Sequence, residues 1–489
     1  MKKFRNHNIL PVLVLILLAS IPVNGQQSNT FYLMHDVPQS NLLNPAVQLS
    51  CRYFIGIPGL ASTHISYSNT AFTYNDLAGT ENWNIEGVLR QMHRVDLLAM
   101  EVYLHPVSLG YRHKTLYFTF NIAEKIQAFQ LLPKDLSETL IHGNGPFVGE
   151  TARFNALRSA VSYQREYSLG LSKLVDSRWT LGARAKLLFG KANIFTGRSR
   201  LGITTSENNF DISLYGDYEM NISFPLTLTQ DANGIINGGE LGEMNPVQLI
   251  LNRGNPGFAL DLGAIYRYDE KLTLSASLLD IGLIRWRTDL NNIRGSGDFI
   301  FQGAEPGTDI ISGDFLTEMS DSLLNALDIT LSQDPYTSFL PAQLFLGGSY
   351  RVKDNLALGA VNRNLIFRNK IHSSLTLSAS ADVADRFLAT LSWSYLNNSV
   401  NNIGAGLAYH GKGFQFHVVS DNLLGFFYPF NTRSVNFRTG FNLMFGCPKN
   451  KREVLEGESY GSTPKGGDCS WTGHQKIRKK YQKKTRRRK

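Results

Sequence analysis

Residues 257–286, GFALDLGAIYRYDEKLTLSASLLDIGLIRW, alternate apolar and polar side chains almost throughout, and this period of two constrains the fold more than any other feature of the chain. Phe258, Leu260, Leu262, Ala264, Tyr266 and Tyr268 share one face of an extended strand. Ala259, Asp261, Gly263, Arg267 and Asp269 share the other, with Ile265 the exception. After a turn at Asp269-Glu270-Lys271, Leu272, Leu274, Ala276 and Leu278 continue the apolar set against Thr273, Ser275 and Ser277, so the stretch reads as a hairpin. The pattern recurs. Trp179, Leu181, Ala183, Ala185, Leu187 and Phe189 oppose Thr180, Gly182, Arg184 and Lys186; Phe387, Ala389, Leu391, Trp393 and Tyr395 oppose Thr390, Ser392 and Ser394. Phe414, Phe416 and Val418 oppose Gln415 and His417, and Val435, Phe437, Phe441, Leu443 and Phe445 oppose Asn436, Arg438, Gly440 and Asn442. The chain is therefore expected to be all-β.

A soluble sandwich also alternates, so strand length and aromatic placement decide between the two. These segments run to about ten residues or more, and Trp179, Tyr266, Tyr268, Trp393 and Tyr395 gather toward strand ends, as the interfacial girdles of transmembrane barrels do. Residues 1–25 read as a secretory signal: Lys2, Lys3 and Arg5, then an apolar stretch from Ile9 to Ile21, then Val23-Asn24-Gly25 before Gln26. Beyond Gln26 no uncharged apolar run is long enough for a transmembrane helix, so a membrane-bound form must be a closed barrel. The segments between Arg52 and Phe445 predict an antiparallel transmembrane β-barrel of about 14 strands, with 16 the alternative.

Such a barrel faces lipid with its apolar side and turns its polar side inward, which places the charges of Arg184, Lys186, Asp261, Arg267 and Arg438 in the lumen. A network fixing strand register explains them more simply than a selectivity lining does. A lumen this wide is not filled by side chains from the wall alone, so a plug is expected. Strand grammar fails at 26–51, 76–98, 131–156 and 303–335, and more loosely at 223–255. Phe315, Leu316, Met319, Leu323, Leu324 and Leu327 recur at helical spacing, predicting a short helical insertion that caps a loop or gates the barrel. Asp231, Asn233 and Glu240 only faintly resemble a calcium loop, and a turn-rich loop fits better. No nucleophile elbow, HExxH or paired-Cys metal signature is present, so we expect no enzyme, cofactor or metal.

The net charge of +9 is unevenly spread: residues 448–489 carry +10 and the leader +3, leaving the body at −4. In an exported protein the block HQKIRKKYQKKTRRRK points not to nucleic acid but to a periplasmic anionic partner, peptidoglycan or an acidic protein, or to a disordered solvated tail. Three cysteines, Cys51, Cys447 and Cys469, permit at most one internal bridge. Barrel closure brings Cys51 and Cys447 to one rim, so a 51–447 bridge is as reasonable as 447–469.

The segment SNLLNPAVQLSCRYFIGIPGL at 40–60, with Asn44-Pro45-Ala46 shortly after the mature start, resembles a Bacteroidota family of uncharacterised outer-membrane barrels. More distantly it is similar to FadL-like barrels, which include fatty-acid transporters and the PorV component of type IX secretion. LDLGAIYR at 260–267 and LLDIGLIRW at 278–286 carry the same likeness. The resemblance implies an N-terminal hatch at 26–51 inside a barrel at 52–447, anchored in outer-membrane lipid; an even strand count puts both termini in the periplasm, and the Gly/Ser/Lys-rich lead-in makes the tail at 448–489 a disordered periplasmic one. It implies transport or binding of hydrophobic compounds, with a non-transporting scaffold or accessory role in a surface or secretion complex as the alternative. Phe445 resembles the aromatic end of a last barrel strand.

Overall fold

The computed structural model describes residues 28–447 apart from 79–83, 231–235, 243–245, 302–327, 369, 385 and 397–398. The described residues form fourteen antiparallel staves, several of them interrupted, closed edge to edge. In chain order they are β1 (Tyr53–Gly56 and Ser62–Asn69), β2 (Val95–His113), β3 (Leu116–Pro133), β4 (Arg158–Leu174) and β5 (Trp179–Thr205). Next come β6 (Ile212–Ser223 and Asn255–Arg267), β7 (Leu272–Trp286 and Leu290–Phe301) and β8 (Asp328–Ser332, Tyr336–Phe339 and Ala342–Lys353). The last six are β9 (Leu356–Phe367), β10 (Lys370–Val383), β11 (Phe387–Leu396), β12 (Ser399–His410), β13 (Phe414–Ser420) and β14 (Ser434–Phe445). Closure is direct: Tyr53 pairs with Phe445 and Thr63 with Thr439. A closed sheet leaves no edge N–H or C=O unpaired, which is what hydrocarbon demands.

The alternation works as an inside-out code. Leu181, Leu187, Phe258, Leu262, Leu391 and Trp393 project outward and are exposed, whereas Thr180, Arg184, Lys186 and Asp261 are buried inside. Tyr53 stacks on Tyr111 at 4.9 Å, and the tilted pairs Trp179–Tyr266 and Phe387–Tyr409 lie 4.5 and 4.9 Å apart, around the rim where Tyr53 pairs with Phe445. Amphipathic rings at that level fit the boundary between hydrocarbon and water.

The wall is uneven. β5 has 27 residues and β13 only seven, whereas a tilted spanning strand needs about nine to eleven. The strand boundaries correct the sequence reading at four places: β2 already starts at Val95, β3 runs on to Pro133, a short strand forms at Thr151–Arg153, and β8 starts at Asp328. Regular hydrogen bonding carries these strands past the residues where alternation fades. Part of 223–255 forms a small hairpin, Leu226–Gln230 with Ile236–Leu241, and a helix at Pro246–Leu251. The expected signal, the tail with Cys469, the helical spacing at 315–327, and Asp231 and Asn233 lie outside the described residues.

Candidate functional site

The site is the lumen, and residues 28–51 fill the half nearest the termini. Phe31, Tyr32, Met34, Val37, Ala46 and Val47 are buried there, and the wall is cut to receive them. A Cβ on Gly182 would come within 2.3 Å of the Pro45 carbonyl group, and one on Gly263 within 2.2 Å of Asn44 Oδ1. Glycine at these positions lets the hatch backbone lie against the wall. Asn44 Oδ1 accepts from Ala46 N at 3.0 Å, closing a turn about Pro45, while its Nδ2 donates to Tyr32 Oη at 3.1 Å. Asn44-Pro45-Ala46 thus sits at a point of close approach between hatch and wall. Ile265, the one break in the alternation, packs against Ala46 and Val47.

The hatch is tied at both ends. Asp421 accepts from Ser28 N at 2.5 Å and Thr30 N at 2.7 Å. At the other end Cys51 is bridged to Cys447, joining the foot of the hatch to the end of β14. Between them, Gln48 donates to Ser172 at 3.0 Å and Ser277 to Leu43 O at 2.6 Å. The hatch residue His35 is fully buried, and burial together with the nearby Arg267 charge holds its imidazole pKa down at about 4.

Above the hatch lies a charged layer. Asp261 accepts from Arg184 at 3.2 Å and Lys186 at 2.8 Å; Asp280 accepts from Lys186 at 2.5 Å and Lys125 at 3.3 Å; Glu166 meets Lys125 at 3.0 Å. Three cations face three carboxylates, so these buried charges are compensated. Arg184 also reaches the hatch, donating to the backbone and side chain of Asn41. Arg438 donates to Ser28 Oγ at 3.2 Å and lies 4.9 Å above the Phe31 ring. A cavity of about 40 Å³ bordered by Glu101, Tyr103, Lys125, Asp280 and Arg438, together with Leu43 and Leu279, remains, roomy enough for roughly a water or two.

Of the five charges expected in the lumen, Arg184, Lys186 and Asp261 come together, Arg438 meets the start of the hatch, and Arg267 lies near His35. Sequence reasoning missed Lys125, Glu166 and Asp280. The first two lie on the polar faces of alternating strands and could have been found that way. Asp280 could not: the pairing shifts between Leu260 and Leu262, Asp280 has φ of 59°, and the resulting bulge turns both Leu279 and Asp280 inward.

Beyond the charges, toward the far rim, the lumen becomes apolar. On each strand the greasy residues follow the charged one: Ala99 and Leu97 beyond Glu101, Phe129 and Leu131 beyond Lys125, Leu188 beyond Lys186, and Ile284 and Trp286 beyond Asp280. Leu365 and Phe367 extend β9 in the same way, and the Phe367 ring lies 5.2 Å from Phe129 across the lumen.

The wall also has a polar seam. β13 stops at Ser420, and Asp421 and Asn422 fill the space between β12 and β14: Asp421 N donates to Asn436 at 2.7 Å, Asn422 to Ser434 O at 2.8 Å, and Leu423 N to Ile403 O at 2.7 Å. Outside it lies a short helix, Leu424–Phe427, with Phe426 6.0 Å from the outward-facing Phe437. Phe427, Tyr428 and Phe430 are exposed.

No metal-binding group of three ligands occurs among the described residues. No curated protein matches the sequence. Among solved structures the fold is similar to the Ralstonia pickettii toluene transporter TbuX, at 12% identity and TM-score 0.37 over 83% of this chain and 94% of that one. It is also similar to the Pseudomonas putida toluene transporter TodX, at 10%, 0.35, 82% and 90%, and to a Pseudomonas aeruginosa FadL homologue, at 11%, 0.35, 88% and 100%. The sequence matches a family of unknown function, DUF5723, over residues 45–421, which span most of the plugged barrel, and the chain belongs to that family.

Proposed function

We propose that the protein is an outer-membrane barrel that binds hydrophobic compounds in the far half of its lumen and passes them sideways rather than straight through. With the termini toward the periplasm, that half opens outward, and the basic tail at 448–489 meets periplasmic anions such as peptidoglycan carboxylates or an acidic protein. One observation carries this reading: Leu97, Phe129, Leu131, Leu188, Trp286 and Phe367 make a lumen storey apolar where a water-filled channel would be polar. The hatch and the charged layer oppose axial passage of an apolar molecule, since crossing them would strip buried ion pairs of their partners. The seam at Asp421 offers an alternative way into lipid, with an apolar helix already outside it. The hydrocarbon transporters to which the fold is similar are consistent with this reading.

The test is a variant whose only tryptophan is Trp286, reconstituted in nanodiscs. Bromobenzene is expected to quench its emission, while iodide in the water and lipids brominated mid-chain leave it unchanged. Emission that follows the brominated lipid alone would refute the reading. The completeness of the hatch favours a second role, a closed scaffold for a surface or secretion complex. In that case partners would be lost when residues 448–489 are deleted, and Trp286 would not respond to bromobenzene.

A further inference from the structure

The end of β9 and the residue after it reach across the outer mouth of the lumen. Phe367 reaches Phe129 of β3, and the guanidinium of Arg368 stands 3.8 Å above the ring of Phe195 on β5. Arg368 has a φ of 53°, and its Nε and Nη2 atoms are buried without a hydrogen-bond partner. On β4, Arg158 pairs with Leu131 and lies two residues beyond Ala160, on the inward face. Lys370, first residue of β10, lies on the same side as Ser374 and Thr376, which hold Asn29 of the hatch. Arg368 feels Arg158 as a like charge, and Lys370 feels both Arg158 and Arg94. Burial and Arg158 lower the Arg368 pKa to about 10.

None of these four cations forms an ion pair with a carboxylate among the described residues, in contrast to the matched charges deeper in the lumen. Arg94, at the edge of the group, also borders a surface depression with Asp135, Glu150 and Arg153. Like charges gathered over an apolar wall repel and are partly desolvated, so they stay together at a cost that a bound anion would relieve. A single carboxylate would offset one charge of the four. A phosphate group offers more charge and more acceptor oxygens, in a geometry that guanidinium forks match.

We propose that Arg158, Arg368 and Lys370, with Arg94 at their edge, form a phosphate-binding site at the outer mouth of the lumen, directly above the apolar storey. Its ligand is a phosphorylated amphiphile whose apolar part enters that storey, so the amphiphile rests on the function proposed above while the anion site stands without it. The phosphate could belong to a lipid headgroup of the outer leaflet or to a free phosphate ester.

Calorimetry on the full-length protein in nanodiscs, with inorganic pyrophosphate, diphosphorylated lipid A and decanoate at matched ionic strength, tests the site. Pyrophosphate is expected to bind, with affinity at least tenfold weaker in Arg158→Gln and in the exposed Lys370→Gln. Lipid A binding alone would make the source a lipid headgroup; binding of both would leave the shared phosphate as the determinant. Decanoate binding as tightly as pyrophosphate, or variants indistinguishable from the native protein, would overturn the proposal. Bromobenzene quenching of Trp286 should survive both substitutions. Its absence alongside intact pyrophosphate binding would defeat the hydrocarbon reading and leave the phosphate site standing.

Discussion

The two halves of the lumen are built on opposite principles from strands that run through both. Near the rim where Tyr53 pairs with Phe445, polar side chains such as Arg184, Ser172 and Ser277 are bonded to a segment of the same chain, and glycines are placed where that segment touches the wall. Near the outer mouth, the same strands present Leu97, Phe129, Leu188 and Trp286, and the cations above them form no ion pair with a carboxylate among the described residues. The contrast teaches that compensation marks structure and its absence marks a place kept for something else. A charge whose partner is built in serves to hold the hatch; a charge left without one is available to a ligand.

The largest effect should come from breaking the matched half. Asp261→Ala leaves Arg184 and Lys186 without their shared carboxylate and should cost about 3–5 kcal/mol, read as an earlier urea transition of the refolded barrel, with chymotrypsin gaining access to Phe31 and Tyr32 of the hatch. Cys51→Ser frees the foot of the hatch from β14 and should cost about 2–4 kcal/mol, seen as a lower temperature for loss of the folded band on a gel; the outer half should still bind bromobenzene. Gly263→Ala pushes a methyl group into Asn44 and should cost about 1–3 kcal/mol in the same urea assay, leaving Trp286 emission unaltered.

The smallest expected effect is pH-dependent and also confined to the matched half. His35 is held neutral in the folded protein, with a pKa of about 4 against the usual 6.5, so the unfolded chain takes up the proton first as pH falls. The stability contributed by this residue is complete above pH 6.5 and is lost progressively toward pH 4. Lowering the pH from neutral to about 5.5 should cost roughly 1 kcal/mol, and His35→Gln should flatten that dependence.

The outward face was legible in the sequence because alternation needs only neighbours two residues apart. It placed Leu181, Phe258, Leu391 and Trp393 toward lipid, and Arg184, Lys186 and Asp261 inside. Even the break at Ile265 carried information, since an apolar residue on a polar face signals a partner inside the lumen, here Ala46 and Val47. The bulge at Asp280 defeated the reading because a single extra residue reverses the facing of all that follow. Contacts such as Ser28 with Asp421, 393 residues apart, follow from closure of the barrel and leave no local pattern. The apolar storey was passed over for another reason: alternation continued from Lys186 and Lys125 puts Leu188 and Phe129 inward, but both lie in greasy stretches where the two faces no longer contrast.

Single-channel recording in planar bilayers tests the closure of the lumen most directly. The native protein should show no steady ohmic conductance, and the double variant Arg184→Ala, Asp421→Ala, which unties the hatch at two points, should open discrete pore-like steps. Steady conductance from the native protein, unchanged in that variant, would contradict a lumen sealed by its own amino-terminal segment.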